Sequence, residues 1–416
     1  MGTFIKQEAF AVARIDQFRF FLGYRFFMTA ATLMQSVIVG WHLYTLTNDV
    51  LLLGLIGLTE VVPQISISLF AGHFVDKWNR KKIILYTTTL LLLGSAILVT
   101  YSVPALDAYQ RFGTFPVFIT IFITGLVRGI LMPAHTAFMA QLVPRELLTN
   151  AATLSSANWQ VAAVAGPAIG GLVYAFSGPV LSYLGVFIFY LVAIVLMMSI
   201  TKIRPVQVTA DREGILSSIG TGIRYVFRNK VLLGAFTLDM FAVFFGGAVA
   251  VLPVFASDIL KIGPQGLGML RACPAIGALF MSTFLMLRPP LNHSGRYLFA
   301  CVAGFGMCMI VFALSRNFYL SAIALLLSGS FDNVSVVIRQ SILQLFTPDE
   351  MKGRVAAVNS IFVGSSNELG AFESGVAAKL MGLVPSVVFG GIMTLIVVAA
   401  VASSTPLLRK LSLKDI

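Results

Sequence analysis

With 416 residues, 58% hydrophobic side chains, 11% charged ones and a mean hydropathy of +0.91, the chain carries more apolar surface than a water-soluble globule can hide, so it reads as a polytopic membrane protein. Its apolar runs stay continuous for about 20 residues instead of alternating over about 10, which excludes a β-barrel and calls for helices that cross a hydrocarbon core of roughly 30 Å. The net charge of +12 would suggest a polyanionic partner in a soluble protein; here the basic residues sit in short loops, where they set orientation, and no nucleic acid is expected.

Met1 to Arg19 is amphipathic, of mixed charge and without a small-residue cleavage site, so it reads as a surface-lying helix. Spans follow near 20–46, 51–72, 83–103, 116–140, 151–176 and 179–200, then 231–256, 265–287, 297–314, 318–346, 355–381 and 384–408. With both termini cytoplasmic, the inner segments collect most of the 29 Lys and Arg, while the outer loops hold Arg111, Lys261 and Arg316, as the inside bias of positive charge requires. Thr201 to Lys230 is the longest polar segment: Pro205 and Asp211 to Gly214 suit a linker, and Ile215, Ile219, Ile223, Tyr225 and Val226 mark an interfacial amphipathic helix. The expected architecture is an all-α membrane protein of twelve transmembrane helices in two pseudo-symmetric six-helix bundles. Residues 1–200 form the first bundle with its surface N-terminal helix, 201–230 a cytoplasmic linker and 231–416 the second bundle.

The halves echo each other. Gln141-Leu142-Val143-Pro144-Arg145-Glu146-Leu147 parallels Gln344 to Met351, and in the register that aligns Pro144 with Pro348, Gly166 falls on Gly370 and Gly171 on Gly375. Two pseudo-equivalent bundles can rock about a midplane site, the arrangement alternating access requires. Cys273, Cys301 and Cys308 all lie in apolar context and form no Cys-x-x-Cys pair, so no disulfide framework, metal site or cofactor is expected.

Between the second and third spans, Gly72, Asp76, Arg80, Lys81 and Lys82 form the pattern Gly-x-x-x-Asp-x-x-x-Arg-Lys-Lys. It resembles the signature loop between helices 2 and 3 of the major facilitator superfamily of secondary transporters. Gly72 permits close backbone approach, Asp76 can face the positive end of a helix or an arginine, and the basic triplet holds the turn on the cytoplasmic side. The resemblance implies a gating latch, with Asp76 reaching the end of span 4 or the start of span 11. The counterpart loop, Arg288 to Arg296, keeps basic ends but loses the Asp, so the latch is expected to be asymmetric.

Ala165-Gly166-Pro167-Ala168-Ile169-Gly170-Gly171 in span 5 suits close helix packing in any membrane bundle. Gly166-Pro167-x-x-Gly170-Gly171 also resembles the motif of proton-driven exporters in the superfamily, which implies antiport. The run from Phe18, Arg19 and Arg25 through the Asp239 segment, Asp332 to Gln340 and Asn367-Glu368-Leu369-Gly370 resembles the enterobactin-exporter-like branch of drug and siderophore exporters.

Ionisable side chains at membrane depth are costly unless paired or hydrated, so each is a functional candidate. Arg128, seven residues before His135 on one helical face, resembles the superfamily's span-4 arginine linked to proton coupling, although the sequence after Gly129 departs from that motif. Arg128 aligns with Asp332, which lies seven residues before Arg339, so a charge network between bundles is one reading and a substrate or proton contact the other. Proton exchange needs a carboxyl raised by desolvation and then lowered by a cation or water. The candidates for coupling are Arg25, Arg128, Asp239, Asp332, Arg339, Glu368 and Glu373, with Asp239 singled out because no other charge shares its span. Glu60, with Gln64 one turn on, and Gln35 are candidates for a substrate cavity, and Trp41, His42 and Tyr44 for its rim or for an interfacial belt.

The expected protein is thus a monomeric multi-pass transporter of the bacterial inner membrane, with protons, a small organic substrate and the lipid bilayer as partners. It exports a siderophore or a hydrophobic or amphipathic drug by alternating access, since 34 Phe and 16 Met suit a pliable apolar cavity. Alternatives are a lipid or lysophospholipid flippase of the same fold, or a non-transporting membrane scaffold or receptor. No catalytic triad, metal-ligand set or phosphate loop points to an enzyme.

Overall fold

A backbone amide in hydrocarbon has no water to bond, and a helix satisfies its N–H and C=O groups within one segment; the long apolar runs accordingly fold as helices. The computed structural model describes residues 11–203, 215–287, 292–348 and 351–415, and contains no strand among them. In chain order come α1 (Asp16–Thr47), α2 (Val50–Lys77), α3 (Arg80–Tyr101) and α4 (Phe115–Leu142). The 51-residue stretch Leu148–Met198 is broken at Gly178, giving α5 (148–177) and α6 (179–198). The helix Ile215–Arg228 then leads into α7 (Lys230–Gly246), followed by α8 (Pro264–Leu287), α9 (Ser294–Leu314), α10 (Phe318–Phe346), α11 (Lys352–Met381) and α12 (Leu383–Ser404).

Nine helices among the described residues are long and apolar enough to cross a membrane, or up to ten if Gly220–Arg228 and Lys230–Gly246, bent by 101°, count as one span. In that count Leu148–Met198 enters as a single helix. α7 has 17 residues, and α11 is diluted by Asn359, Ser366 and Glu368, so neither qualifies alone. The chain is a helical membrane protein.

Local chemistry explains the breaks. The Asn79 side chain accepts from Lys82 N at 3.2 Å, Asn229 from Val231 N at 3.0 Å and Asn317 from Tyr319 N at 2.8 Å, capping α3, α7 and α10. Gly178 (φ 70°) and Gly382 (φ 92°) end α5 and α11 in backbone that disfavours a Cβ. Aligning Pro144 with Pro348 also superposes these two glycines, so the duplicated register fixes the turn at the same place in each half.

Two expected boundaries move. The segment read as a cationic turn from Gly72 to Lys82 is helical through Lys77 and resumes at Arg80, leaving Trp78 and Asn79 as the break. A helix needs no loop where hydrocarbon ends, and the Asn79 cap decides where the next one starts. The span expected at 231–256 stops at Gly246; after a turn it continues as Leu252–Val254 and the short wide turn Phe255–Ile259. The pair Gly246-Gly247 gives the helix little reason to continue.

Contacts divide the chain into two compact units, Met1–His42 with Val62–Asp211, and Leu43–Val61 with Arg212–Ile416. The cut passes through α1 and α2. In the first unit α3 packs on α4 and on the α5/α6 stretch, and α5 meets α1 closely: a Cβ on Gly166 would lie 2.7 Å from Ala30 O. Three fully buried tyrosines bond across to neighbouring helices, with Thr32 Oγ1 to Tyr190 Oη at 3.1 Å and His42 Nδ1 to Tyr183 Oη at 3.2 Å. Tyr24 is the third. His42 and Trp41 are buried, so this end of α1 is packed inside the unit and is not a lipid-facing belt.

In the second unit α10 lies against α8 and α9, α12 against α9 and α7, and α11 against α7, around Leu232, Phe236, Leu298, Ile338 and Ile342. The segment 43–61 joins it through backbone contact: a Cβ on Gly54 would lie 2.9 Å from Gly375 Cα, and one on Gly57 2.5 Å from Glu368 O. Tyr225 of the Ile215–Arg228 helix donates to Phe346 O at 2.7 Å, and Val226 beside it is buried.

Candidate functional site

In the first unit a cavity of about 360 Å³ opens among α1, α4 and α5. It lies near the Arg19 end of α1 and beside Ala137 of α4, whose carbonyl accepts from Arg80 at 3.3 Å. Arg25 enters it from α1, His135 and Met139 from α4, and Ser155, Ser156 and Trp159 from α5. The polar floor is fixed in place: Tyr24 Oη meets His135 Nε2 at 2.9 Å and Thr88 Oγ1 at 3.1 Å, while Phe21 packs edge-on against the imidazole. Asn158 Nδ2 donates to Leu22 O at 3.1 Å and ties α5 to α1 below the opening. Arg25 is half-buried and forms no ion pair with an acidic side chain among the described residues.

In the second unit Asp239 of α7 forms an ion pair with Arg339 of α10. The residues are 5% and 3% exposed, so the pair is cut off from solvent. Asp332 and Ser335 of α10 border the same narrow void, of about 10 Å³, room for about one water. Arg339 Nε and Ser335 Oγ have no hydrogen-bond partner among the described residues. The expectation that Asp239 is an isolated carboxylate is corrected: its own span supplies no cation, but α10 does. Arg339 is therefore matched within its own unit and not to a residue of the other half.

A second charge cluster joins α8, α11 and the start of α2. Arg271 donates to Val249 O at 3.3 Å and is drawn electrostatically to Glu368 and Glu60. Further along the same helices, Lys379 Nζ lies 3.1 Å from Asp49 Oδ1 and Tyr44 donates to Asp258 Oδ2 at 2.6 Å. The Leu51 backbone N–H, reinforced by Lys379, holds the Asp49 carboxyl below the usual carboxylate range. A depressed carboxyl contributes stability that is present above its unfolded value, near pH 3.9, and is lost as pH falls through the lower folded value. Asp49→Asn is expected to remove this acid-range loss without changing the melting temperature's pH dependence near neutrality, as thermal unfolding at stepped pH will read; an unchanged acid limb would contradict it.

The remaining expected residues fall as follows. Gly72 and Asp76 lie on α2, and the Asp76 side chain, with the latch expected of it, is outside the described residues. Arg80 Nη1 donates to Ala137 O at 3.3 Å, and Lys81 Nζ to Met198 O at 3.0 Å and Ile200 O at 2.6 Å. Arg80 and Lys81 thus bind carbonyls of neighbouring helices, and Lys81 does so at the end of α6, where a cation complements the negative helix end. Gly166, Pro167, Gly170 and Gly171 are all buried on α5, with Gly166 and Gly170 set against Ala30 and Met34 of α1. Arg128 is exposed on α4 while His135 is buried, so the two do not share one environment. Gln35 is buried, and Gln35 Oε1 and Gln64 Oε1 have no hydrogen-bond partner among the described residues. Glu373 is half-buried beside Ser374 on α11.

Sequence reasoning missed Tyr24, Ser155, Ser156, Trp159 and Arg271. The signal for three of them was the polar stretch Ser155 to Gln160 at the start of α5, in a span otherwise rich in Ala and Gly.

Long apolar helices, a buried ion pair in one unit and an arginine-bordered cavity in the other are features that suit a membrane transporter. The chain belongs to the transmembrane secretion effector family of the major facilitator superfamily, whose model matches residues 7–414. It is similar to the Staphyloferrin A transporter of Staphylococcus aureus (strain NCTC 8325 / PS 47), 23% identical over 91% of this chain and 93% of that protein. It is likewise similar to the Enterobactin exporter EntS of Shigella flexneri, 24% identical over 78% and 76%. Among solved structures, a D-xylose-proton symporter superposes with a TM-score of 0.73 over 94% of this chain and 97% of its own at 13% identity. A POT family transporter in complex with 5-aminolevulinic acid gives 0.72 over 94% and 96% at 11%. These likenesses establish the fold.

Proposed function

We propose that the chain is a proton-coupled exporter that carries a siderophore or a similarly amphipathic organic molecule out of the bacterial cytoplasm by alternating access. The observation that carries this reading is the cavity of about 360 Å³, at the low end of ligand pockets, roughly 300–1,000 Å³. Its Phe21 and Met139 walls suit an apolar body, and Arg25, Ser155 and Ser156 suit a polar group. With the basic helix ends cytoplasmic, as the charge bias requires, the cavity meets a molecule leaving the cytoplasm. The relatives named as a siderophore transporter and a siderophore exporter support the substrate class. Gly166, Pro167, Gly170 and Gly171 support antiport, and the Asp239–Arg339 pair with Asp332 supplies carboxyls for the coupling proton. Twelve spans, two six-helix bundles joined by a 201–230 linker, cytoplasmic termini and a monomer belong to the same reading.

Inside-out vesicles holding the purified protein test it. Acidifying the lumen should drive uptake of a labelled siderophore against its gradient, and collapsing the proton gradient should stop accumulation while leaving exchange intact. Accumulation indifferent to the proton gradient would reject proton coupling; no siderophore movement in either mode would reject the substrate class.

A further inference from the structure

The Arg25 side chain presents a chemical demand that the described residues do not meet. A half-buried guanidinium borders the cavity without an acidic partner among the described residues, and a desolvated cation requires an anion or a set of strong acceptors. Its neighbours do not supply one. The His135 ring is held by Tyr24 through Nε2, while Ser155, Ser156 and Thr136 bring hydroxyls to the lining, groups that donate to an oxyanion as readily as they accept. One turn further along α5 from these serines, Trp159, 45% exposed, offers a broad face with a polar edge, and Met139 of α4 offers a deformable wall.

We infer that this cavity is an anion-recognition site for a carboxylate: Arg25 forks onto its two oxygens, the α5 hydroxyls complete their hydrogen bonds, and Trp159 covers an aromatic or extended apolar body. The inference rests on the reading of the chain as an exporter and names the chemical class it selects. A carboxylate is favoured over a phosphate by charge: Arg25 is the one permanent cation among the described lining residues, matching a single negative charge, whereas a phosphate monoester carries about 1.5–2 at neutral pH. The planar guanidinium also fits two coplanar oxygens.

Titration calorimetry on the purified full-length protein tests this with naphthoate, naphthamide and naphthyl phosphate, which share one ring system. Naphthoate is expected to bind at least about tenfold more tightly than naphthamide, the worth of a hydrogen bond to a charged group. Naphthyl phosphate should be no tighter than naphthoate. Arg25→Gln should bring naphthoate down to the amide's affinity, Arg25→Lys should keep part of the preference, and Trp159→Ala should weaken acid and amide equally; unfolding curves confirm that each variant is folded. The comparison of acid and amide on the wild-type chain needs no variant. Equal affinity for the two, no binding of either, or a preference that survives Arg25→Gln overturns the inference. Tighter binding of naphthyl phosphate overturns it in favour of a phosphate headgroup. The vesicle assay separates this from the exporter reading. A chain that prefers naphthoate but moves no siderophore keeps the site and loses that reading, and one that exports a siderophore without preferring the acid does the reverse.

Discussion

Arg339→Met is expected to lower the stability of the unit containing α7 and α10 by about 3–5 kcal/mol, because it leaves the Asp239 carboxyl buried without its cation. The double variant Asp239→Leu with Arg339→Met removes both charges and should recover most of the stability, as replacing a buried pair by packed apolar residues is often neutral or stabilising. Function then separates the readings of the pair. If it carries the proton, Asp239→Asn and the stable double variant will both lose accumulation driven by a proton gradient while Asp239→Asn retains counterflow exchange. If it only fixes the rotation of α7 against α10, the double variant will transport normally. Gradient-driven transport and exchange, measured on the same vesicle preparation beside an unfolding curve, decide between them. Full gradient-driven activity in well-folded Asp239→Asn would move the coupling role to Asp332, Glu368 or Glu373.

Gly170→Leu should insert into the membrane and yet transport at a small fraction of the parental rate. A Cβ on Gly170 would sit 3.0 Å from Met34 Cγ and 3.2 Å from Met34 O, and one on Gly166 would sit 2.7 Å from Ala30 O. α1 and α5 therefore touch nearly backbone to backbone, and neither carbonyl can turn aside without breaking its helix. A leucine forces the helices apart; overpacking of this kind costs about 1–3 kcal/mol, and it displaces Arg25 and Trp159, which face one cavity from these same two helices. The same contact recurs in the second half, where a Cβ on Gly370 would lie 2.7 Å from Phe244 O, so Gly370→Leu should be similarly damaging. Gly220→Ala is the contrast, since nothing lies within 4 Å of its Cβ position. Parental transport by folded Gly170→Leu protein, or equal damage from Gly220→Ala, would show that the close approach is incidental.

The class of protein, the helices and most of their ends were legible in the sequence, because each depends on chemistry within a few residues. Continuous apolar runs must become helices in hydrocarbon; Asn79, Asn229 and Asn317 cap the helices they precede; and the register that aligns Pro144 with Pro348 places paired glycines where α5 and α11 pack and end. The extent of α2 was legible less well, since Gly72 to Lys77 is polar enough to read as a loop yet costs a helix little beyond the hydrocarbon. The partners of the buried charges were not legible at all. Asp239 has no cation near it in its own helix, and its pairing with Arg339 depends on the rotation and depth at which α10 packs on α7, which no local pattern encodes. Arg271, Glu60 and Glu368 likewise come from three helices. The cavity was hidden for a related reason. A serine in a membrane helix can satisfy itself on a carbonyl one turn back, so Ser155 and Ser156 read as neutral filler until the packing of α1, α4 and α5 set them across an opening from Arg25.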